Sequence, residues 1–298
     1  MTTRPIPALS ACALAACLVL LTACGDDTPT DGPTPERHVA LEGDPNFRDL
    51  GGYRGADGKR VRWDQVFRSG TLQELTDADV TELGRRGLRS VVCFLTQEEL
   101  DKFGPDRLPA DTTFIHQPIV GERVGEISLQ AHEALRTADF ASLPPDLNKE
   151  IHSLLLDDGV KEYATLLRTA MDPTKRPLVF HCSHGVHRTG TAAALLLSAL
   201  GVPWEVVRAD YLLSNTYRGK QNAKYLEALR AKAAKAQGVE ASEVDMTNAE
   251  AFLVLQGEYI DGTLERAIET HGSVEAFIRD GLGITDEEIA RLRKELLE

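Results

Sequence analysis

One stretch of the chain decides the fold, and it reads Leu178-Val179-Phe180-His181-Cys182-Ser183-His184-Gly185-Val186-His187-Arg188-Thr189-Gly190. Its opening apolar run predicts a buried strand that ends at Cys182. Residues 189–200 are almost all apolar or small, which predicts a buried helix directly after the loop. Backbone N–H groups of such a loop, together with a helix N-terminus, make a site for an oxyanion. The stretch therefore predicts a phosphate-binding loop.

The side chains of this loop suit the transfer of a phosphoryl group. Arg188 and the helix N-terminus are expected to lower the pKa of Cys182 from about 8.5 into the range of about 3.5 to 7.5, which makes the thiolate a nucleophile. Arg188 offers a planar fork for two phosphoryl oxygens, and the Thr189 hydroxyl can hydrogen-bond the sulfur when it leaves. His181 is expected to orient the loop. The residues expected to contact phosphate are Ser183, His184, Gly185, Val186, His187 and Arg188.

This loop resembles the His-Cys-x5-Arg-Thr-Gly signature of the cysteine-dependent protein tyrosine and dual-specificity phosphatase superfamily. The stretches Asn46-Phe47-Arg48-Asp49-Leu50-Gly51-Gly52-Tyr53 and Phe67-Arg68-Ser69-Gly70 are similar to a bacterial branch that includes secreted tyrosine and phosphoinositide phosphatases. Residues 209–215 and 273–297 also look like that branch. The resemblance implies a tyrosine-phosphatase-like fold, a phosphocysteine intermediate and no cofactor.

The resemblance also implies residues outside the loop. Arg48 and Asp49 are expected to line or brace the site, with a capped turn and a surface ion pair as the alternative. Expelling the alcohol needs a proton donor, which this superfamily takes from a remote carboxylate. Glu122, in the loop after the strand that ends near Ile119, is the candidate, and a surface ion pair with Arg123 is the alternative. The other candidate donors are Asp49, Glu126 and His187.

The histidines of the loop raise two further questions. A cationic His187 would attract an additional phosphate, because an imidazole titrates near neutral pH. His181, His184 and His187 have a spacing of three residues that suggests metal ligands. The loop must turn its N–H groups towards phosphate, however, and no Asp or Cys cluster in the sequence completes a ligand set. We expect no metal.

The beginning of the chain predicts export. Residues 1–23 contain one charge, Arg4, and an apolar run too short for a mature membrane span, which is typical of a signal peptide. Leu21-Thr22-Ala23-Cys24 resembles the lipobox of bacterial lipoproteins, which implies cleavage before Cys24 and diacylglycerol on its thiol. The alternative is a plain secretory signal. A lipid on Cys24 would anchor the protein to a membrane of the bacterial cell envelope.

The rest of the chain predicts a flexible tether at 24–38, rich in Pro, Thr and Asp, and one phosphatase domain at 39–298. Short apolar runs and amphipathic stretches alternate in this domain, which favours an α/β fold with a mostly parallel or mixed sheet flanked by helices and a helical C-terminal third. Strands are predicted at 65–68, 88–95, 113–119 and 178–182, and capped helices at 76–86 and 285–297.

Charge and cysteine content narrow the function. A net charge of -13 disfavours nucleic acid as a partner. The resemblance implies a phosphoprotein or a phospholipid as the substrate. Cys93 lies in an apolar run and is expected to be a buried strand cysteine, with a redox partner for Cys182 as the alternative. The leading hypothesis is a phosphatase of protein phosphotyrosine with possible dual specificity. The alternatives are a phosphoinositide or small phosphoester phosphatase and an inactive phospho-binding module of the envelope.

Overall fold

The structure is a computed structural model that describes residues 36–298. The predicted signal peptide at 1–23, the lipid site Cys24 and most of the predicted tether lie outside the described residues. Within the described part, no helix combines the length and the apolar character that crossing a membrane requires.

The compact domain begins at Glu36, three residues before the predicted start at position 39. Arg37 donates from Nη1 to the carbonyl oxygen of Asp49 at 2.7 Å. The ring of His38 stacks on Tyr217, with 4.1 Å between ring centroids. These two residues, predicted as the end of the tether, are therefore fixed against the domain.

A single sheet of five strands runs through the described domain, in the order β1-β2-β5-β3-β4. The first pair is antiparallel and the other three pairs are parallel, which confirms the predicted mixed and mostly parallel sheet. The edge strand β1 is absent from the sequence prediction, because two polar residues carry no periodic apolar signal. The strands are β1 (Arg48–Asp49), β2 (Val66–Ser69), β3 (Ser90–Cys93), β4 (Thr113–His116) and β5 (Leu178–His181).

Helices lie around this sheet and fill the C-terminal third, as predicted. In chain order they are α1 (Asp77–Arg85), α2 (Gln97–Phe103), α3 (Glu122–Thr137), α4 (Leu147–Asp158), α5 (Val160–Met171), α6 (His187–Ala199), α7 (Trp204–Tyr217), α8 (Gly219–Gln237), α9 (Thr247–Leu253), α10 (Gly257–His271), α11 (Val274–Ala276) and α12 (Asp286–Leu296). Short 3-10 turns occupy Ala56–Gly58, Phe140–Ser142 and Ala241–Glu243, and a π-turn occupies Phe277–Gly281.

The two helices predicted from capping patterns in the sequence do begin with those capping residues. Thr76 and Asp79 form a reciprocal capping box at α1, and Thr285 and Glu288 do so at α12. Each box satisfies N–H groups that the first helical turn leaves without a partner, which is why the chain turns helical there.

Helix α6 occupies the centre of the main core. Residues 189–199 are all buried, which confirms the predicted buried helix. The helix begins at His187, two residues before the predicted start, so Arg188 lies in its first turn. In the sheet, Ser69 of β2 and Cys93 of β3 both lie opposite His181 of β5. The loop that follows β5 therefore leaves the sheet between two strands and enters the most buried helix of the domain.

Candidate active site

The loop from Cys182 to Arg188, called here the reactive loop, has its carbonyl oxygens tied to the scaffold. Asn46 donates from Nδ2 to the carbonyl oxygens of His184 at 3.0 Å and Gly185 at 3.3 Å. Arg68 donates from Nη2 to the same Gly185 oxygen at 2.9 Å. The backbone N–H groups of His184 and Thr189 instead hydrogen-bond the sulfur of Cys182. The loop thus presents N–H groups at the sulfur and carbonyl groups at the scaffold.

The sulfur of Cys182 has the environment of a thiolate. Burial alone would raise the pKa of the thiol, but the Arg188 guanidinium, the Thr189 hydroxyl and two backbone N–H groups hold it below its ordinary value. The residue is only 2% exposed. The structure therefore brings Cys182, Arg188 and Thr189 together as the sequence predicted, with sulfur and guanidinium sharing one amide-lined loop.

A carboxylate that the sequence did not reveal holds Arg188 in place. Glu99, in the first turn of α2, accepts from Nη2 at 2.6 Å and from Nη1 at 2.7 Å, and Nη1 also donates to the carbonyl oxygen of Phe94 at 2.9 Å. Burial would lower the pKa of Arg188, but Glu99 and the Cys182 thiolate raise it above its ordinary value. Three of the five guanidinium N–H groups are occupied, which leaves two for a ligand. The Thr96-x-x-Glu99 capping box marks a helix start in the sequence, but nothing in it indicates a partner for Arg188.

A network of buried ion pairs supports the reactive loop on its carbonyl side. Asp210 accepts from Nε of Arg48 at 3.2 Å and from Nη1 of Arg68 at 2.6 Å. Arg48 also donates from Nη1 to the side-chain oxygen of Asn46 at 2.7 Å, and Asn46 holds the loop carbonyls. Burial would raise the pKa of Asp210, but the two arginines lower it to about 2. Arg48 therefore braces the site through Asn46.

Asp49 has a different position from its neighbour. Its two carboxylate oxygens accept from the backbone N–H groups of Gly51 and Asp64, each at 2.6 Å. Asp49 is buried and caps this turn, and these contacts give no support to the expectations that it lines or braces the site or donates a proton there. The capped turn of the alternative is present, but Asp49 is buried and forms no ion pair with any residue between 36 and 298.

His181 orients the loop from inside the sheet. Its Nε2 hydrogen-bonds Oδ2 of Asp106 at 2.9 Å, and its Nδ1 lies 3.3 Å from the carbonyl oxygen of Cys182. Burial would lower the pKa of His181, but the side chains of Asp106 and Cys93 raise it well above its ordinary value. Cys93, Asp106 and His181 each place one ligand-type atom within 4.8 Å of the others. Of the three loop histidines considered as metal ligands from the sequence, only His181 belongs to this cluster.

The surroundings of His187 disfavour its protonated form, which weakens its candidacy as a proton donor near pH 7. Burial, with neighbouring His184, Arg188 and Arg218, lowers the pKa of His187 to about 3. The neutral ring pairs through Nε2 with the Oδ1 atom of Asn148 at 2.7 Å. The condition for attracting an additional phosphate, a cationic His187, is therefore disfavoured.

The structure leaves Glu122 free. Glu122 is the first residue of α3 and is exposed, and its side chain makes no hydrogen bond or ion pair with any residue between 36 and 298. Arg123 pairs with Glu150 at 3.1 Å, so the alternative of a Glu122–Arg123 pair is wrong. Glu126, one turn later in α3, is also exposed.

A second carboxylate lies against the loop before α3. Asp158, the last residue of α4, sits so close to Gly121 that a Cβ atom there would lie 1.7 Å from its Oδ2. That oxygen is buried and has no hydrogen-bond partner in the described chain. Burial and the neighbouring Asp157 raise the pKa of Asp158. No sequence signal joins Asp158 to Gly121, because the contact is made only when α4 packs beside the loop.

The chain is similar in sequence to known proteins over most of its length. The model of a family described as "Tyrosine phosphatase family" matches residues 39–298. A protein of Cupriavidus necator named "Putative tyrosine-protein phosphatase" is 30% identical over 275 residues, which cover 89% of this chain and 90% of that protein. The triple specificity protein phosphatase PtpB of Mycobacterium tuberculosis is 26% identical over 282 residues, which cover 86% of this chain and 98% of that protein. The crystal structure of a cysteine-to-serine variant of P. aeruginosa TpbA in complex with pTyr aligns with 64% of this chain and 90% of its own at 15% identity, with a TM-score of 0.29.

Proposed function

The chain belongs to the tyrosine phosphatase family, whose members are phosphoric monoester hydrolases, and from that premise we propose that it hydrolyses phosphotyrosine in proteins with Cys182 as the nucleophile. The observation that carries the proposal is the shared environment of Cys182 and Arg188, a buried thiolate and a guanidinium at one amide-lined loop. The relatives named as a tyrosine-protein phosphatase and a triple specificity protein phosphatase support phosphotyrosine as the substrate.

The reaction follows from this arrangement in two steps. The thiolate of Cys182 attacks phosphorus, so an S–P bond forms while the P–O bond to the tyrosine breaks and the phenolate oxygen takes a proton from a general acid. Arg188 and the loop N–H groups bind the phosphoryl oxygens as charge moves onto them. Water then attacks phosphorus and gives a proton to the general acid, which the first step left as a carboxylate, while the S–P bond breaks and the Thr189 hydroxyl hydrogen-bonds the departing thiolate. Inorganic phosphate leaves.

Cys182 can be distinguished from Cys93, the other cysteine of the described domain. Cys93 ends β3 and hydrogen-bonds His181, whereas Cys182 faces Arg188. We expect Cys182→Ser to abolish phosphate release from a phosphotyrosine peptide and to remove the phosphoenzyme trapped by rapid acid quench. Cys93→Ser is the matched control and is expected to keep both. An active Cys182→Ser enzyme would contradict the proposal.

Glu122 is our proposal for the general acid, because it is an unpaired carboxylate directly after the β4 loop, and Asp158 is the rival. Loss of the acid slows expulsion of a poor leaving group by roughly 100-fold or more and affects a good one far less. Glu122→Gln is therefore expected to reduce hydrolysis of phenyl phosphate much more than of p-nitrophenyl phosphate. If Asp158→Asn shows that leaving-group dependence and Glu122→Gln does not, Asp158 is the acid.

The proposed location is a membrane of the bacterial cell envelope, with a diacylglycerol on Cys24. Support comes from the signal-like residues 1–23 and the Leu21-Thr22-Ala23-Cys24 stretch alone. In cells grown with labelled palmitate, the protein is expected to carry label and to fractionate with membranes, while Cys24→Ala carries none. A label-free protein in the soluble fraction would favour a plain secretory signal.

A further inference from the structure

A small pocket of about 150 Å³ opens beside the reactive loop. One wall consists of Ser183 and His184, which belong to the loop itself. Phe103, the last residue of α2, and Arg218, which joins α7 to α8, form other parts of the lining. A group bound here would be next to a phosphate held by the loop.

Arg218 is a charged residue whose side chain has no partner. Its guanidinium is half-buried and makes no hydrogen bond or ion pair with any residue in the described range 36–298. The guanidinium groups of Arg48, Arg68 and Arg188 each have a hydrogen-bonded carboxylate partner. A charge that is partly removed from water without a partner is unfavourable, so such a residue is suited to bind an incoming anion.

The carboxylate that lines the same pocket interacts with Arg218 through space but forms no ion pair with it in the described chain. Asp44 accepts from the backbone N–H of Asn46 at 3.1 Å through Oδ1 and from that of Gly70 at 2.8 Å through Oδ2. Both carboxylate oxygens of Asp44 therefore already accept hydrogen bonds from backbone N–H groups. Burial raises the pKa of Asp44, while the two backbone N–H groups and the nearby Arg218 act in the opposite direction.

Arg218 also lies within electrostatic range of the reaction centre. Burial lowers the pKa of its guanidinium, while Asp44 and the Cys182 thiolate act in the opposite direction. The pocket is about half the size of the smallest usual ligand site, roughly 300 Å³, so it fits one side chain rather than a whole small molecule. The ring of Phe103, 44% exposed, offers an apolar surface, which suits the methylene groups of a side chain better than the hydroxyl groups of an inositol ring.

We propose that Arg218 binds the carboxylate of an aspartate or glutamate next to the phosphotyrosine of a protein substrate. The guanidinium can make two parallel hydrogen bonds to that carboxylate. This inference rests on the proposed function and adds to it a preference for acidic phosphopeptides. It makes Arg218 a specificity-determining residue outside the reactive loop.

The test compares matched phosphotyrosine peptides with Asp, Asn or Lys on either side of the phosphotyrosine. Wild-type kcat/KM is expected to be roughly tenfold higher for the Asp peptide than for the Asn peptide, the size expected for a hydrogen bond between charged groups. Arg218→Gln is expected to abolish this ratio and Arg218→Glu to reverse it in favour of the Lys peptide. Lys220→Gln removes a positive charge two residues away, outside the pocket lining, and is expected to keep the wild-type ratio.

Hydrolysis of p-nitrophenyl phosphate distinguishes failure of this inference from failure of the proposed function. Equal wild-type kcat/KM for the Asp and Asn peptides, in an enzyme that hydrolyses p-nitrophenyl phosphate, overturns this inference and leaves the proposed function intact. An effect of Arg218→Gln on a phosphoinositide bisphosphate but on no peptide overturns it in favour of a lipid headgroup. A wild-type enzyme that hydrolyses neither aryl phosphate nor phosphopeptide overturns both proposals.

Discussion

Arg188 can bind phosphate in a fixed orientation because Glu99 already holds it. Both oxygens of Glu99 face the guanidinium, and one of them also accepts from the backbone N–H of Thr96 at 2.8 Å. Burial would raise the pKa of Glu99, but Arg188 lowers it below its ordinary value, so the carboxylate is charged at neutral pH. The catalytic arginine thus depends on a residue from another part of the chain.

Replacing Glu99 by Gln should therefore weaken transition-state binding. We expect kcat/KM for p-nitrophenyl phosphate to fall roughly 10- to 100-fold, because a hydrogen bond to a charged group contributes about 1.5–3 kcal/mol. Glu98→Gln is the matched control, since Glu98 is exposed and makes no contact of this kind in the described chain. If both variants are folded, as judged by circular dichroism, and equally active, Glu99 does not position Arg188 for catalysis.

Asp210 is the residue on which the buried arginines depend. Asp210→Asn should lower the free energy of unfolding at pH 7 by about 3–5 kcal/mol, because it leaves buried positive charge without compensation. The folded-state pKa of about 2 is below the ordinary value of 3.8, so the contribution of Asp210 is present above pH 4 and is lost as the pH falls towards 2. The free energy of unfolding of Asp210→Asn should lack this pH-dependent contribution.

Urea unfolding of both proteins between pH 2.5 and 7 measures that difference. The stability gap between wild type and Asp210→Asn should narrow as the pH falls below 4. A gap that stays constant over the whole range would show that the charge of Asp210 does not stabilise the domain.

The site residues differ in how far sequence can identify them. Cys182 and Arg188 are separated by a fixed spacing inside one continuous loop, so a local pattern reveals both. Glu99 and Asp210 reach the site only because parallel strands and packed helices bring distant segments together. Their own neighbourhoods show a capping box and an amphipathic helix, which are patterns that occur in many proteins without a catalytic role.

At the scale of elements, the reactive loop requires a glycine at one position. Gly185 has a φ of +67°, in the left-handed region, and a Cβ there would lie 2.5 Å from the carbonyl oxygen of Ser69 and 2.8 Å from Nδ2 of Asn46. The loop therefore packs directly on the end of β2, with no room for a side chain.

Gly185→Ala should disrupt phosphate binding more than stability of the domain. We expect the affinity for the competitive inhibitors vanadate and inorganic phosphate to fall at least tenfold, since the amides that face the sulfur would be displaced. Gly125→Ala is the control, because a Cβ on that helical glycine would meet no atom within 4 Å. Unchanged inhibition constants in Gly185→Ala would show that the loop tolerates the side chain.

Some helices and strands can be predicted from the sequence and others cannot, as was true of the site residues. Capped helices and apolar strands such as α1 and β5 follow from local patterns, and the structure confirms them. The two-residue strand β1 forms because Arg48 pairs across to Arg68, a contact that no period in the sequence indicates. Helix α6 begins two residues earlier than its apolar run, because the loop geometry rather than hydrophobicity determines its first turn.

For the whole molecule, the important feature is that α6 is fixed at both ends. Its first turn carries Arg188, and its last turn is held by Arg293 of α12, which donates from Nε to the carbonyl oxygen of Ala199 at 2.8 Å. The chain after α12 then pairs with the segment that follows β1, where Val61 lies opposite Leu297. The C-terminal helix therefore stabilises the core helix at the end far from the chemistry.

This separation predicts that stability and catalysis can be changed independently. Leu296 is fully buried, so Leu296→Ala should lower the free energy of unfolding by about 2–5 kcal/mol through lost burial and a new cavity. Urea unfolding measures that change, with exposed Lys294→Ala as the control that should leave it unaltered. Because Leu296 lies where α12 meets the core and not at the reactive loop, kcat for p-nitrophenyl phosphate at 25 °C should stay within about twofold of wild type. A large loss of kcat in a folded Leu296→Ala protein would mean that the C-terminal helix transmits its packing along α6 to Arg188.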